Sequence, residues 1–389
     1  MSQSLSYTTD FGSKQESINA MIMALADRDT KLLSMFLKLG DPVDALKYEW
    51  VDKTLVGFKD KLSAALASTT TTVITVSSGT NAPKRYIDGH TLIRIDDEVM
   101  LCTSTITIVT NSMQINVTRA SLGTTAATHS NGSQVLLYGN PQAEGFSAGR
   151  DDSQKGTRQF NYTQIFEREL KLSGSSQAIK AVAAEPQLDK QAADLLPELL
   201  KELQMSLIHG LRFANDSTAY TDRKMGGFYH WALNGGTNTN GNASVLGFGM
   251  IDDVIESYLN NGGDANNLAL LVPTRQQRKL NDLKEARIIN GGQSQSENNL
   301  NNFVETYDFG SRAKVQVILC TDLADNEVYF FDRTRVEVRP LGNEYTSRAF
   351  GRKPLPEDGD FKREMILGEY TAVFRNVRET LFRYYNLAV

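Results

Sequence analysis

The stretch Ile93 to Cys102, IRIDDEVMLC, sets three consecutive carboxylates, Asp96, Asp97 and Glu98, between two apolar runs. His90 precedes it, His129 follows it and Cys102 ends it. Residues of these types can hold a metal ion or move a proton. In a strand, however, successive side chains point to opposite faces, so three adjacent acids cannot converge on one ion unless the backbone turns. A turn at Asp96 and Asp97, between strands at 91–95 and 98–102, explains the aspartates better, since Asp tolerates tight turns. The alternating acids, glycine and distal glutamate of a calcium loop are absent. His90 and His129 have no HxH or HxxxH partner and read as hydrogen-bonding loop residues.

The remaining chemistry-bearing residues give no constellation. His209 falls near a helical stripe and His230 beside Trp231, where packing is the simpler role. No serine lies in GxSxG, and neither GxGxxG nor GxxxxGK[ST] occurs. Cys102 and Cys320 stand far apart with no CxxC spacing, and both read as reduced packing residues. No catalytic residue, metal site or cofactor is expected. Two charge clusters, FERELK at Phe166–Lys171 and TRQQRK at Thr274–Lys279, read as solvated surface. Alternating charge on an extended segment can also fix register against a neighbour.

The elements that would carry these residues change character along the 389-residue chain, long enough for roughly two or three domains. Its charge of -5, from 46 acids and 41 bases, lacks the basic stripe that duplex binding requires. The polar N-terminus does not read as a secretory signal, and no apolar run approaches the roughly 20 residues of a membrane span, so a soluble, intracellularly made protein is expected. ESINAMIMALADRDTKLLSMFLKLG reads as one or two short helices. From Leu62 to Asn140 short runs rich in Thr, Val and Ile, separated by turn residues, predict an all-β module. An alternating strand follows, with Phe160, Tyr162, Gln164, Phe166, Leu170 and Leu172 on one parity. Leu188, Ala192, Leu195, Leu199, Leu203, Leu207 and Leu211 then form the stripe of a long helix, with a kink or restart expected at Pro197. Helix and strand signals alternate from Gly226 to Asn302, and the C-terminal part is again β-rich.

This succession resembles the major capsid proteins of tailed bacteriophages over nearly the whole chain. The residues that carry the resemblance are an arm with D-x-x-T, the Glu49–Trp50 pair, YTQIFERELKLSGS, the helix LPELLKELQMSLIHG and a terminal strand with G-E-Y-T. The resemblance implies an α+β fold with an N-terminal arm (1–47), an extended loop (48–61 and 141–175), a peripheral domain with a long spine helix (176–224 and 324–389) and an axial α/β domain (225–323). The β module (62–140) becomes an insertion at the loop tip, where folded insertions are tolerated; its pattern is similar to small β modules of phage structural proteins. The lysine–asparagine crosslink of some such shells finds no matching residues.

The function implied is a non-enzymatic major capsid protein that self-assembles, as hexamers and pentamers, into an icosahedral head enclosing double-stranded DNA without reading its sequence. It would assemble in the host cytoplasm and reside in the virion, with no membrane partner. Portal and decoration proteins are possible partners, and any scaffold is expected as a separate protein. Candidate contacts between subunits are Trp50, Asp52, Lys53, Glu167, Arg168, Glu169 and Lys171. Two alternatives are an encapsulin-like nanocompartment shell and a metal-dependent enzyme centred on Asp96–Glu98.

Overall fold

The computed structural model describes residues 31–37, 41–53, 59–76, 91–109, 112–138, 144–145, 156–175, 188–215, 222–282, 288–290, 304–308, 314–343, 346–356 and 359–389. His90 lies outside them. The chain divides into two compact units. The main unit comprises Met1–Val51, Arg158–Tyr258 and Gly263–Val389; the second comprises Asp52–Thr157 with Leu259–Gly262.

The second unit contains a six-stranded antiparallel sheet in the order 59–61, 134–138, 92–95, 98–109, 112–118, 73–76. Its strands beyond Lys59–Lys61 bury alternate residues where described, as in Ser112–Thr118, where Met113, Ile115 and Val117 point inward. The outermost strands of this order meet: Leu62 bridges Val76, and the Ser63 N–H donates to the Thr75 carbonyl at 2.9 Å. The sheet is therefore a small barrel, which leaves no edge along that seam. The β sheet includes Lys59–Lys61, so the module starts before the expected boundary at Leu62.

In the main unit a mixed seven-stranded sheet runs in the order 237–240, 381–385, 328–332, 268–272, 314–319, 304–308, 288–290. Its central strands, Leu268–Val272 and Val328–Asp332, are buried at every position because both faces are covered. Leu268, Leu270 and Val272 face a core with Ile251, Ile255 and Leu280 of the helices Phe248–Asn260 and Thr274–Asp282. Ala269 and Leu271 face the opposite core, with Phe228, Trp231 and Phe331. Strands Val328–Asp332 and Leu381–Tyr385 thus complete the sheet of the segment read as axial. A boundary at residue 324 does not separate two sheets, because parallel strands need partners from elsewhere in the chain to cover their flanks.

A four-stranded sheet is built on the long strand Phe361–Phe374, which pairs with Gln164–Ser173, Gly351–Pro354 and Val336–Pro340, all antiparallel. The helix Leu188–His209 packs on it through Leu199, Leu203 and Leu207, which share a core with Phe166, Leu170 and Ile366. The helix runs without a restart through Pro197. Leu211, expected on the stripe, lies beyond the helix end and is 52% exposed. Gln204, polar by type, is buried and holds two distant segments: its Oε1 accepts from the Leu33 N–H and its Nε2 donates to Asp322 at 2.6 Å.

The described part of the expected arm is anchored in the main unit. Leu32, Leu33 and Phe36 are buried, and Phe36 meets Phe331 edge-on at 5.5 Å. Leu37 and Val43 make parallel bridges to Val338 and Leu341, and Asp41 pairs with Arg339 at 2.8 Å. The segment expected as the second half of an extended loop is likewise partly structural, since Gln164–Ser173 is a full strand of the four-stranded sheet.

Candidate functional site

The acid-rich stretch resolves into a turn and a hub. Asp96 has a φ of 51° and, with Asp97, joins the strands Leu92–Ile95 and Glu98–Val109. The Asp97 carboxylate is fully exposed and lies 3.5 Å from Arg94. Asp96 and Glu98, two residues apart, turn to the same side and both reach His129: Nδ1 lies 2.7 Å from Asp96 Oδ2, and Nε2 lies 3.0 Å from Glu98 Oε2. The expected dispersal of the acids therefore holds for Asp97 alone. Residues i and i+2 share a face, and the turn brings the first acid back over the second.

Glu98 is wholly buried and accepts two bonds from Arg119, from Nε and Nη2, each 2.6 Å long. The backbone N–H groups of Ala120 and Ala127 also donate to it, at 3.1 and 3.0 Å. Burial alone would raise its pKa, but these donors and His129 outweigh burial and hold the carboxyl at about 2. Arg119 further donates to the carbonyls of Ser68, Thr71 and Ala127. One ion pair thus fixes three loops of the barrel. Its lone pairs and N–H groups are spent on the protein itself, so the arrangement braces rather than reacts. Among the described residues no group of three His, Cys, Asp or Glu is placed to hold a metal ion.

The G-E-Y-T signature is a second brace, in the main unit. A Cβ on Gly368 would lie 2.4 Å from the Phe350 ring, so the strand approaches that ring only with glycine there. Glu369 is buried, accepts from Thr163 Oγ1 at 2.7 Å and pairs with Arg223, while Arg348 lies at 3.1 Å. The Tyr370 hydroxyl accepts the Phe350 N–H at 2.8 Å, and Thr371 donates to the Tyr162 carbonyl at 3.0 Å. His209 donates through Nε2 to the Asp322 carbonyl at 2.7 Å, a tie the sequence did not distinguish from packing. His230 is buried beside Trp231, and desolvation, helped by Arg212, lowers its pKa to about 4.

The residues expected to touch a neighbour divide by face. Trp50 is a correction: its ring is buried in the subunit core, 5.5 Å from the Trp231 ring, because its strand Lys47–Asp52 turns that side chain inward. Asp52 is half-buried at the strand end, and Lys53 is exposed just beyond. Arg168 points to the helix side, where it meets Glu202 at 2.8 Å. Glu167, Glu169 and Lys171 are exposed on the other side of the sheet. There Glu169 pairs with Arg363 at 2.6 Å, and Lys171 sits 4.0 Å over the Phe361 ring. Ile165 shares that side and is 44% exposed.

A family model described as the SU10 major capsid protein matches residues 3–388. The chain belongs to that family. It is accordingly a shell-forming capsid protein, assembled in multiple copies, with a structural rather than enzymatic role and its place in the virion capsid. Solved structures similar to this capsid protein include the capsid of an empty GTA particle, at 10% identity and a TM-score of 0.46, covering 98% of each chain. The cyanophage A-1(L) capsid matches at 11% identity and a TM-score of 0.45, over 64% of this chain and 85% of that one. The mature capsid of bacteriophage PhiM1 matches at 10% identity and 0.41, over 64% and 78%. No curated protein matches the chain. Among the described residues of the capsid protein, no helix is long and apolar enough to cross a membrane.

Proposed function

We propose that copies of this subunit form hexamers and pentamers of an icosahedral head that encloses double-stranded DNA. The single observation behind this reading is the family match over residues 3–388. A nearly balanced charge, -5 overall, suits a container that surrounds DNA without gripping particular sequences. Glu167, Glu169 and Lys171, with Asp52 and Lys53, serve as contacts to neighbouring subunits, and the barrel of 59–138 meets a neighbour or a decoration protein. Portal and scaffolding proteins act as partners, and assembly takes place in the host cytoplasm. Electron microscopy of the purified protein tests the reading. Closed shells or capsomer-sized rings are expected, together with nuclease-protected DNA in particles taken from infected cells. A protein that stays monomeric at high concentration, or particles that hold protein cargo and no DNA, overturns it.

A further inference from the structure

One turn of the barrel holds its backbone where side chains seldom sit. Ala120 and Leu122 have φ of 54° and 58°, and Gly123 follows at 81°. Left-handed backbone costs a residue with a Cβ free energy, and such strain persists only where the surroundings over-determine it. Here they do. Glu98 takes the Ala120 and Ala127 N–H groups, and Thr124 Oγ1 accepts the Val99 N–H at 3.1 Å and donates to the Ser121 carbonyl at 2.9 Å. Yet the side chain displayed by this turn adds nothing to the core: Leu122 is 72% exposed, and no residue of 121–123 is buried.

Arg119 ties that turn to a second loop, since it donates to the carbonyls of Ser68 and Thr71 as well as Ala127. Segments 67–72 and 120–128 consist of Ala, Ser, Thr and Gly, with Leu122 the one large side chain. In a chain with 22% charged residues, neither loop carries a charge. Arg119 itself is bonded to Glu98, and 6% of its side chain is exposed. The charged turn Arg94–Asp97 lies at the border of the patch, where Asp96 meets His129. We propose that through this patch the barrel meets another copy of the capsid protein, loop against loop about a two-fold axis, each Leu122 seated among the small residues of the other copy.

Self-complementarity selects a second copy as the occupant. In an isologous contact the same patch must fit itself. A charged patch would meet its own sign, and these loops have none to oppose. Leu122 supplies a knob, and Ala120, Gly123, Ala126 and Ala127 beside it leave a shallow floor for the knob of the other copy. The family assembles in multiple copies, so every subunit presents the patch. Size sets when it engages. A stable pair needs about 20–30 residues a side, more than two short loops provide, so the patch does not hold a dimer in solution. Within the shell, other contacts raise its effective concentration. A loop already fixed in its bound shape also loses little entropy on contact.

This inference rests on the reading that the barrel meets a neighbour, and the tests separate the two. Leu122→Asn suits left-handed backbone and replaces the apolar tip with a polar one. It is expected to raise the subunit concentration needed for half-maximal assembly about tenfold, as the loss of one buried leucine contact would. Thermal melts should stay level or rise. An unchanged assembly curve overturns the pairing, whatever the melt does. Leu122→Cys gives a direct readout, because the two native cysteines are buried. Copper–phenanthroline oxidation should join copies through position 122 in assembled particles, and not in free subunits at the same concentration. A lysine-reactive crosslinker on the same particles reports whether the barrel meets any neighbour, through the exposed Lys59 and Lys61. If these lysines reach another copy while the Leu122→Cys thiols stay reduced, the barrel contact stands and the loop pairing falls. If no barrel residue joins another protein, both readings fall.

Discussion

The barrel fills its core with Ile, Val, Leu, Met and Cys102, whereas the main unit centres on rings: Phe228 alone meets Phe36, Tyr329, Phe331 and Phe374. The barrel's loops are held by a buried ion pair, Glu98–Arg119. The main unit has two larger sheets and a long helix to bring together, and large rings fill the irregular space between them while burying the most area per residue. It too carries a buried ionic brace, Glu369 with Arg223 and Arg348. Packed rings therefore centre one unit, and aliphatic packing with a polar brace on its loops holds the other.

That contrast can be broken in order of expected effect. Phe228→Ala removes the centre of the ring cluster and should cost the main unit about 3–5 kcal/mol. Both tryptophans, Trp50 and Trp231, belong to that unit, so the loss is read as a lowered midpoint of tryptophan fluorescence in chemical denaturation. Glu98→Gln leaves Arg119 buried with its partner's charge gone, and should cost the barrel about 3 kcal/mol. The tryptophan signal should move little, while proteolysis at 119–129 accelerates. Equal shifts in both readouts would refute separate bracing of the two units.

Acid should distinguish the units by pH window. Unfolded histidine titrates near 6.5, and His230 is held at about 4 by its burial. The unfolded chain binds more protons between these values, so the main unit loses stability as pH falls from 6.5 to 4, and no more on this account below 4. Glu98, held at about 2, contributes stability above the unfolded carboxylate range, lost as pH falls from about 4.5 to 2. Each window should change stability by about 1–3 kcal/mol. Tryptophan fluorescence and barrel proteolysis, followed against pH, should respond in that order. The smallest effect is a gain: Leu122 is 72% exposed at φ 58°, and Leu122→Gly should stabilise the barrel by under about 1 kcal/mol in thermal melts.

Much of the local architecture was legible in the residues themselves. The leucine stripe gave the helix Leu188–His209, and Asp96–Asp97 gave the turn between two barrel strands. Glu98 was not legible as a hub. The residues that bond it come from Arg119 to His129, and no spacing along the chain marks a partner more than twenty residues away. Trp50 was expected at a contact between subunits on the resemblance, yet alternation sends its ring to the core.

Sequence by itself determined the periods: where side chains alternate, where they repeat as a helix, and where the backbone must turn. These are properties of adjacent residues, set by backbone sterics and by which neighbours share a face. Tertiary structure alone decided that Leu62 meets Val76 to close a barrel, and that strands 328–332 and 381–385 complete the seven-stranded sheet. Backbone donors and acceptors have the same chemistry in every strand, so only packing among distant residues selects which strands pair.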